Sequence, residues 1–507
     1  MTAQSKDLSA LAAADYICTC GKRHRTDIQE IHLDGPVIGP LRQLISRQSG
    51  REGLLLRPGH SRILMIADGH TWQAAGRAVH DALAWTPDTA AHSQSKMSGT
   101  PDYAAHWQNT TPHADDRSAG YPIDTCIFPE DPVLIPDEKA VFAVIRAMTP
   151  ETALLVAIGS GTLNDLTRFV SSRTGIPYYI VATAPSMDGY ASSVAPMIIN
   201  QMKVTVEACG AAAILGDPAV LSASPAIMLA AGLGDILGKY SAICDWRMGA
   251  LVTDEYYCED IARQVLETVE SCRRQSHNLG RHEPAAARII MEGLILSGIY
   301  MSQVGNSRPA SGAEHHLSHF WEMSLLRQGK PPVLHGSKVG LASIMICSLY
   351  RHLLTIQPDF SRAREHAHAR LNEPDQQAWE MNMRDAYQEG ADELIELEKI
   401  SGKNDPAKMA RRIDVLEEKW PLLCHVIEET IPDPEKVRQA LDEAGGITDP
   451  EQLGIDRLMV ADALRFAREM RNRYTVLQLY ADLGLTDKSV ELVLRQTFCL
   501  PGESLLI

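Results

Sequence analysis

No uninterrupted apolar stretch in this chain reaches the roughly 20 residues needed to span a bilayer, so a transmembrane segment is not expected. Positive charge is also short. Lysine and arginine total 48 against 64 acidic residues, a net charge of −16, which argues against a nucleic-acid partner held by bulk electrostatics. An anionic substrate would then need a local basic pocket. The ten cysteines are scattered from Cys18 to Cys499 without a dense framework, and the first residues, MTAQSKDLSA, lack a basic start followed by an apolar core. A reduced, cytoplasmic setting is therefore the expectation. The one local group, Cys18-Thr19-Cys20-Gly21-Lys22-Arg23-His24, offers two thiols one residue apart and one imidazole. That is an incomplete zinc ligand set, and a turn in an N-terminal β-element is preferred.

What is present is an ordinary globular composition, 45% hydrophobic over 507 residues, enough for more than one core. The run Leu154-Leu155-Val156-Ala157-Ile158 reads as a buried parallel strand, and Gly159-Ser160-Gly161-Thr162 follows it before a helix. Glycines there let a diphosphate approach the backbone, and the free N–H groups of a helix start favour its charge. The usual third glycine is missing, so a tight turn without a ligand reads equally well. Arg62 to Asp68 forms a second apolar strand, and Asp68 at its end is either a ribose-binding acid or a helix cap. From Trp85 to Gly120 the chain turns polar and proline-punctuated, which predicts an insertion.

Strand–helix alternation gives way to helices beyond Ser193. The division expected is a nucleotide-binding domain over 1–205, carrying the insertion near 86–120, and an α-helical metal and substrate domain over 206–507. The tail from about Gln357 carries Glu, Arg and Gln at helical spacing, interrupted at Pro374, Pro406, Pro432 and Pro450. It reads as solvated helical faces, with a surface for a second copy or partner.

Three segments of the helical half carry chemistry: Gly234-Asp235-Ile236-Leu237-Gly238-Lys239, the stretch SRPASGAEHHLSH from Ser307 to His319, and Leu334-His335-Gly336. His315 and His319, four apart, share one face of a helix, His335 opens the next, and Asp235 offers a carboxylate. Singly, each histidine reads as a hydrogen-bonded helix residue; together they predict a divalent metal. Three protein ligands leave an open coordination position for a carbonyl or hydroxyl oxygen, as a catalytic site requires. In TAPSMDGYAS, a carboxylate and hydroxyls on a loop after a strand suit a polyol, and Asp188 binds a substrate hydroxyl or closes an Asx-turn before Gly189.

The motifs GSGTLNDLTR, TAPSMDGYAS, SRPASGAEHHLSH and LHGSKVGL resemble those of the bacterial sn-glycerol-1-phosphate dehydrogenases, within the superfamily of glycerol dehydrogenases, iron-type alcohol dehydrogenases and dehydroquinate synthases. The likeness runs from about Cys18 to RNRYTVLQLYADLGL. It implies an α/β Rossmann-like nucleotide domain followed by an all-α metal-binding domain, with the active site in the cleft between them. It also implies NAD or NADP as cofactor and one divalent metal held by Asp235, His315 and His335, with His319 as a catalytic or substrate-contacting histidine. Lys239 stands where iron-type relatives carry a fourth ligand, which favours zinc or nickel.

By the same resemblance Gly159, Ser160, Gly161, Thr162 and Asp165 hold the cofactor's diphosphate end, with Asp68 near the ribose. Thr183, Ser186, Asp188 and Ser192 flank nicotinamide and substrate. Lys203, Lys239 and Arg308 are the cations nominated for substrate phosphate. The implied reaction is reversible, NAD(P)H-dependent reduction of dihydroxyacetone phosphate to sn-glycerol 1-phosphate by a homodimer or higher homo-oligomer. A dehydrogenase of an unphosphorylated polyol, a dehydroquinate synthase-like lyase and a non-enzymatic binding protein are the alternatives. Asp68 leans toward NAD by repelling a 2′-phosphate, an effect that Arg62 or Arg77 would offset.

Overall fold

The computed structural model describes residues 8, 14–26, 28–48, 60–84, 121–199, 202–369 and 373–498. The polar insertion expected over 86–120 lies outside the described residues. Contacts divide the chain into two compact units, one of Met1–Tyr16, Arg23–Leu229 and His282–Gln303, the other of Ile17–Lys22, Ala230–Arg281 and Val304–Ile507. The first thus includes most of the helix Pro284–Val304.

Among the described residues ten strands form, in chain order: β1 (Asp15–Ile17), β2 (Arg23–Arg25), β3 (Glu30–His32), β4 (Arg62–Asp68), β5 (Ile123–Phe128), β6 (Thr152–Gly159), β7 (Tyr178–Ala182), β8 (Val194–Ile199), β9 (Met202–Glu207) and β10 (Ala213–Gly216). Six of them make one sheet in the order β3-β10-β7-β6-β4-β5, parallel throughout. Strands covered on both faces by helices must be apolar on both faces. β4 and β6 obey this, buried from Ile63 to Ala67 and from Leu154 to Gly159. Residues of one layer, among them Ile63, Met65, Val156, Ile158, Tyr179 and Leu215, pack into a single core cluster.

The strand order fixes where a ligand can sit. From β4 the chain crosses outward to β5, whereas from β6 it proceeds the other way to β7, so the adjacent strands β4 and β6 straddle a switch point. Their register pairs Ile66 with Ala157, which brings Asp68 level with Gly159 beyond the carboxyl ends. Crevices of this kind are where open α/β sheets bind ligands.

The second unit is helical. Its helices include Lys239–Thr253, Glu259–Arg273, Ala313–Arg327, His335–Leu353 and a series continuing to Thr486–Thr497. Several tail prolines mark beginnings: Pro406 and Pro450 occupy the first turn of their elements, after capping Asp405 and Asp449. The tail is more than solvated surface, because Ile413, Leu416, Leu423, Val426 and Ile427 of Pro406–Thr430 are buried, against Lys239–Thr253 among others. Two helical stretches, Ala226–Thr253 and Pro284–Val304, are long and apolar enough to cross a membrane by composition, but 89% and 72% of their windows are buried within the protein. They are core helices by that measure.

Candidate functional site

In the first unit, β6 passes into the helix Gly161–Thr174 through Ser160, which makes no side-chain cap, and the helix ends at Gly175 in the left-handed region, φ 71°. A Cβ on Gly159 would stand 2.3 Å from Leu163 Cδ1 and 3.0 Å from its Cβ, so a side chain there would require Leu163 to shift. The Ser160 hydroxyl points instead toward the segment after β7, meeting Ser186 Oγ and receiving the Tyr190 hydroxyl at 3.1 Å. Thr183 donates its backbone N–H to the Gly159 carbonyl. Turn and loop are thus one connected structure, with Gly161 and Thr162 opening the helix N-terminus, where an anionic diphosphate is favoured.

Asp68 is placed as a cap. Its carboxylate accepts the Thr71 N–H at 2.8 Å, and the Thr71 hydroxyl accepts the Asp68 N–H at 3.0 Å, a reciprocal capping box. Asp165 is tied to Arg168 at 2.7 Å. The Arg168 side chain is fully buried, donating to the carbonyls of Gly189, Tyr190 and Val194. The carboxylate of Asp165 therefore has that guanidinium as a partner. Asp188 begins the short turn Gly189–Ala191 without capping it, and accepts a hydrogen bond from Ser297 at 2.9 Å. Ser192 accepts the Val194 N–H and donates to its carbonyl.

In the second unit, the ligand atoms of Asp235, His315 and His335 all lie within 4.8 Å of one another. Asp235 lies in Ala226–Leu237, His315 in Ala313–Arg327, and His335 opens His335–Leu353. The first and last of these helices touch backbone to backbone. A Cβ on Gly336 would stand 1.9 Å from the Ala231 carbonyl oxygen, and one on Gly234 would stand 2.5 Å from the Gly336 carbonyl oxygen. Glycines beside Asp235 and His335 are what let the two ligands approach. His315 Nε2 is 3.8 Å from Asp235 Oδ1, close to the ~3.4 Å separating two ligands that each bind one tetrahedral ion at about 2.1 Å. Buried carboxylate and imidazole donors at this spacing fit a divalent metal. His319 joins the same group, its ring 6.1 Å from His315 and 5.7 Å from His335.

Sequence reasoning missed Glu314. Its carboxylate lies 2.7 Å from His315 Nδ1 and accepts the Gly312 N–H at 2.7 Å and the Ser241 hydroxyl. Burial opposes its ionisation, but the His315 imidazole and these donors outweigh it, holding the carboxyl below its usual range. A carboxylate so placed would hold the proton on Nδ1 and leave the Nε2 lone pair available to an ion. Glu314→Gln is expected to weaken metal binding by about 10- to 100-fold with the helix retained, read by metal titration and circular dichroism; unchanged affinity would exclude this role. The only sequence signal was an acid directly before a ligand histidine.

The helix bearing His315 is also capped from outside, where Asp245 accepts the N–H groups of Ala313 and Val476 and the Tyr350 hydroxyl. Burial, then the charge of Glu314, push the Asp245 carboxyl up to about 7 against these hydrogen bonds. With a folded value above the ~3.9 of an unfolded aspartate, the unfolded chain releases this proton first. Stability contributed at this site falls as pH rises from about 4 to about 7 and levels off above that. The advantage of wild type over Asp245→Asn in chemical denaturation is expected to shrink across that window; a gap that widens would contradict the assignment.

Lys239 and Arg308, two of the cations nominated for substrate phosphate, both have partners within the protein. Lys239, 1% exposed, donates to Asp235 at 2.7 Å, and Arg308 is clamped to Glu255 and the Tyr474 carbonyl. Both cations are themselves buried. Lys203 falls on β9. Lys338, one turn beyond His335, lies 3.6 Å from Glu322, which is 3.8 Å from His319.

The family model for iron-containing alcohol dehydrogenases matches residues 117–225. A glycerol-1-phosphate dehydrogenase (NAD(P)+) of Geobacillus stearothermophilus is 31% identical over 467 residues, covering 92% of this chain and 96% of its own. One from Halalkalibacterium halodurans is 27% identical, covering 91% and 94%. Among solved structures, a probable glycerol dehydrogenase of Sinorhizobium meliloti is similar with a TM-score of 0.55 at 13% identity, over 93% of this chain and 98% of that one. That likeness shows the fold alone.

Proposed function

We infer the reaction from kinship and site together: the chain belongs to the glycerol-1-phosphate dehydrogenase family, and it is an oxidoreductase that reversibly reduces dihydroxyacetone phosphate to sn-glycerol 1-phosphate with NAD(P)H. The observation that carries this reading is the close group of Asp235, His315 and His335, backed by Glu314. A metal site of this build suits carbonyl chemistry.

When bound, a divalent ion would supply Lewis-acid polarisation of the C2 ketone, and a reduced nicotinamide would supply the hydride for that carbon. Asp235, His315 and His335 hold the ion, Lys239 orients the Asp235 carboxylate, and Glu314 fixes the tautomer of His315. His319 delivers a proton through water to the oxygen on C2 as the ketone becomes an alcohol. Gly159, Ser160, Gly161 and Thr162 bind the cofactor diphosphate at the helix N-terminus, and Asp68 accepts from the ribose while capping its helix. Asp188, held by Ser297, accepts a substrate hydroxyl, with Thr183, Ser186 and Ser192 on the same loop region. Lys203 is the remaining nominee for the phosphate.

Zinc or nickel is the proposed ion, since imidazole and carboxylate suit both and Lys239 stands where iron-type relatives add a histidine. A cytoplasmic homo-oligomer is the proposed form. The deciding assay follows NADH and NADPH oxidation with dihydroxyacetone phosphate and with unphosphorylated dihydroxyacetone, on metal-free and metal-reconstituted protein. Metal-dependent oxidation with the phosphorylated ketone is expected. Equal rates with dihydroxyacetone would assign a polyol dehydrogenase, and turnover without net cofactor oxidation would assign a lyase.

A further inference from the structure

The hairpin formed by β1 and β2 is too short to hold itself. Each strand has three residues, and every residue of β1 is exposed; isolated two-stranded ribbons are marginal in water. Its turn is nonetheless tightly drawn. Cys18 N–H donates to the Lys22 carbonyl and Gly21 N–H to the Cys18 carbonyl, both at 2.9 Å, with Gly21 at φ 83°, which favours glycine. The fold then delivers what the sequence pattern withheld, a third thiol from 240 residues away.

Cys258 precedes the helix Glu259–Arg273 as its N-cap and makes no side-chain capping bond. Its sulfur is 3.7 Å from that of Cys18, and the sulfurs of Cys18, Cys20 and Cys258 all lie within 4.8 Å of one another. Two sulfurs bound to one tetrahedral zinc at about 2.3 Å stand about 3.8 Å apart, whereas a disulfide brings them to about 2.05 Å. The observed spacing is that of shared metal ligands. Polar groups surround the three thiols: the Tyr256 hydroxyl is 3.1 Å from Cys20 Sγ, Lys22 Nζ lies over the Tyr256 ring at 3.4 Å, and Thr19 donates to Asp260 at 2.6 Å. Lys22, over the Tyr256 ring, offsets the excess negative charge of three thiolates on a dication.

We propose that Cys18, Cys20 and Cys258 bind a second, structural zinc ion that fastens the N-terminal turn to the start of the helix Glu259–Arg273. The same stretch of sequence offers a lighter donor to complete the tetrahedron, the imidazole of His24, four residues beyond Cys20. Its Nδ1 lies 2.7 Å from the Gln303 carbonyl, the tautomer-fixing contact that ligand histidines make. Binding releases the three thiol protons to solvent, and no residue of this group belongs to the dehydrogenase chemistry.

The test uses full-length His335→Ala protein, in which the Asp235–His315–His335 site is disabled, equilibrated with zinc alone under reducing conditions. One tightly held zinc per chain is expected, with X-ray absorption giving three sulfurs at about 2.3 Å and one nitrogen at about 2.0 Å. Adding Cys258→Ser is expected to remove that equivalent. A zinc shell of nitrogen and oxygen alone, no zinc retained, or a Cys18–Cys258 disulfide found by mass spectrometry would each overturn the proposal. The absorption spectrum needs no cysteine variant, so the result stands even if Cys258→Ser fails to fold.

Discussion

His335→Ala is expected to lower kcat/KM with dihydroxyacetone phosphate by about a thousandfold or more while leaving the fold in place. The magnitude follows from several kcal/mol of charge stabilisation lost with the metal, at about 1.36 kcal/mol per factor of ten. Retention of the fold follows from position: His335 is only partly buried and stands at the first residue of its helix. Asp235→Ala tests the same site with a different side effect. Asp235 is fully buried and pairs with the 1% exposed Lys239, so its removal strands an ammonium and is expected to cost about 3–5 kcal/mol of stability as well. Activity and melting should therefore separate for His335→Ala and fall together for Asp235→Ala. Near-normal turnover by metal-stripped His335→Ala would remove the cluster from the mechanism.

Gly336→Ala should do comparable damage without touching a ligand. The added carbon would meet the Ala231 carbonyl oxygen at 1.9 Å and its carbon at 2.6 Å, both backbone atoms that cannot rotate away. Overpacking of a tight core costs about 1–3 kcal/mol, occasionally more, and relief requires the helices carrying Asp235 and His335 to separate. A displacement on the order of 1 Å at a reacting centre costs about 10²-fold in rate. The variant is expected to melt lower, to bind metal more weakly and to lose at least that factor in kcat. Wild-type metal affinity in a folded Gly336→Ala protein would show that the close crossing does not set the ligand geometry.

Periodicity and local chemistry carried the site only as far as residues adjacent in sequence allow. The strand Leu154 to Ile158, its glycine turn and the histidines at 315 and 319 were legible because each rests on a short-range rule. The crossing at Gly234 and Gly336 was not, since a glycine's reason there is a neighbour about a hundred residues away. The pairing of Arg308 with Glu255, 53 residues away, was hidden for the same reason, whereas Lys239 and Asp165 meet Asp235 and Arg168 about one helical turn away, a spacing the sequence displays. Cys258 looked like one of ten scattered thiols until the fold set it beside Cys18. Helix positions in the tail were readable, but which faces would be buried depended on partners such as Lys239–Thr253.

Arg168 makes the turn after β6 and the loop bearing Asp188 mechanically inseparable. Its guanidinium hangs from the helix Gly161–Thr174 and grips three carbonyls between Gly189 and Val194. A loop fastened in this way is ordered when the protein folds rather than at each encounter with substrate. The entropy of arranging Asp188 is thus spent once per lifetime of the molecule, and the Michaelis complex inherits a loop already set.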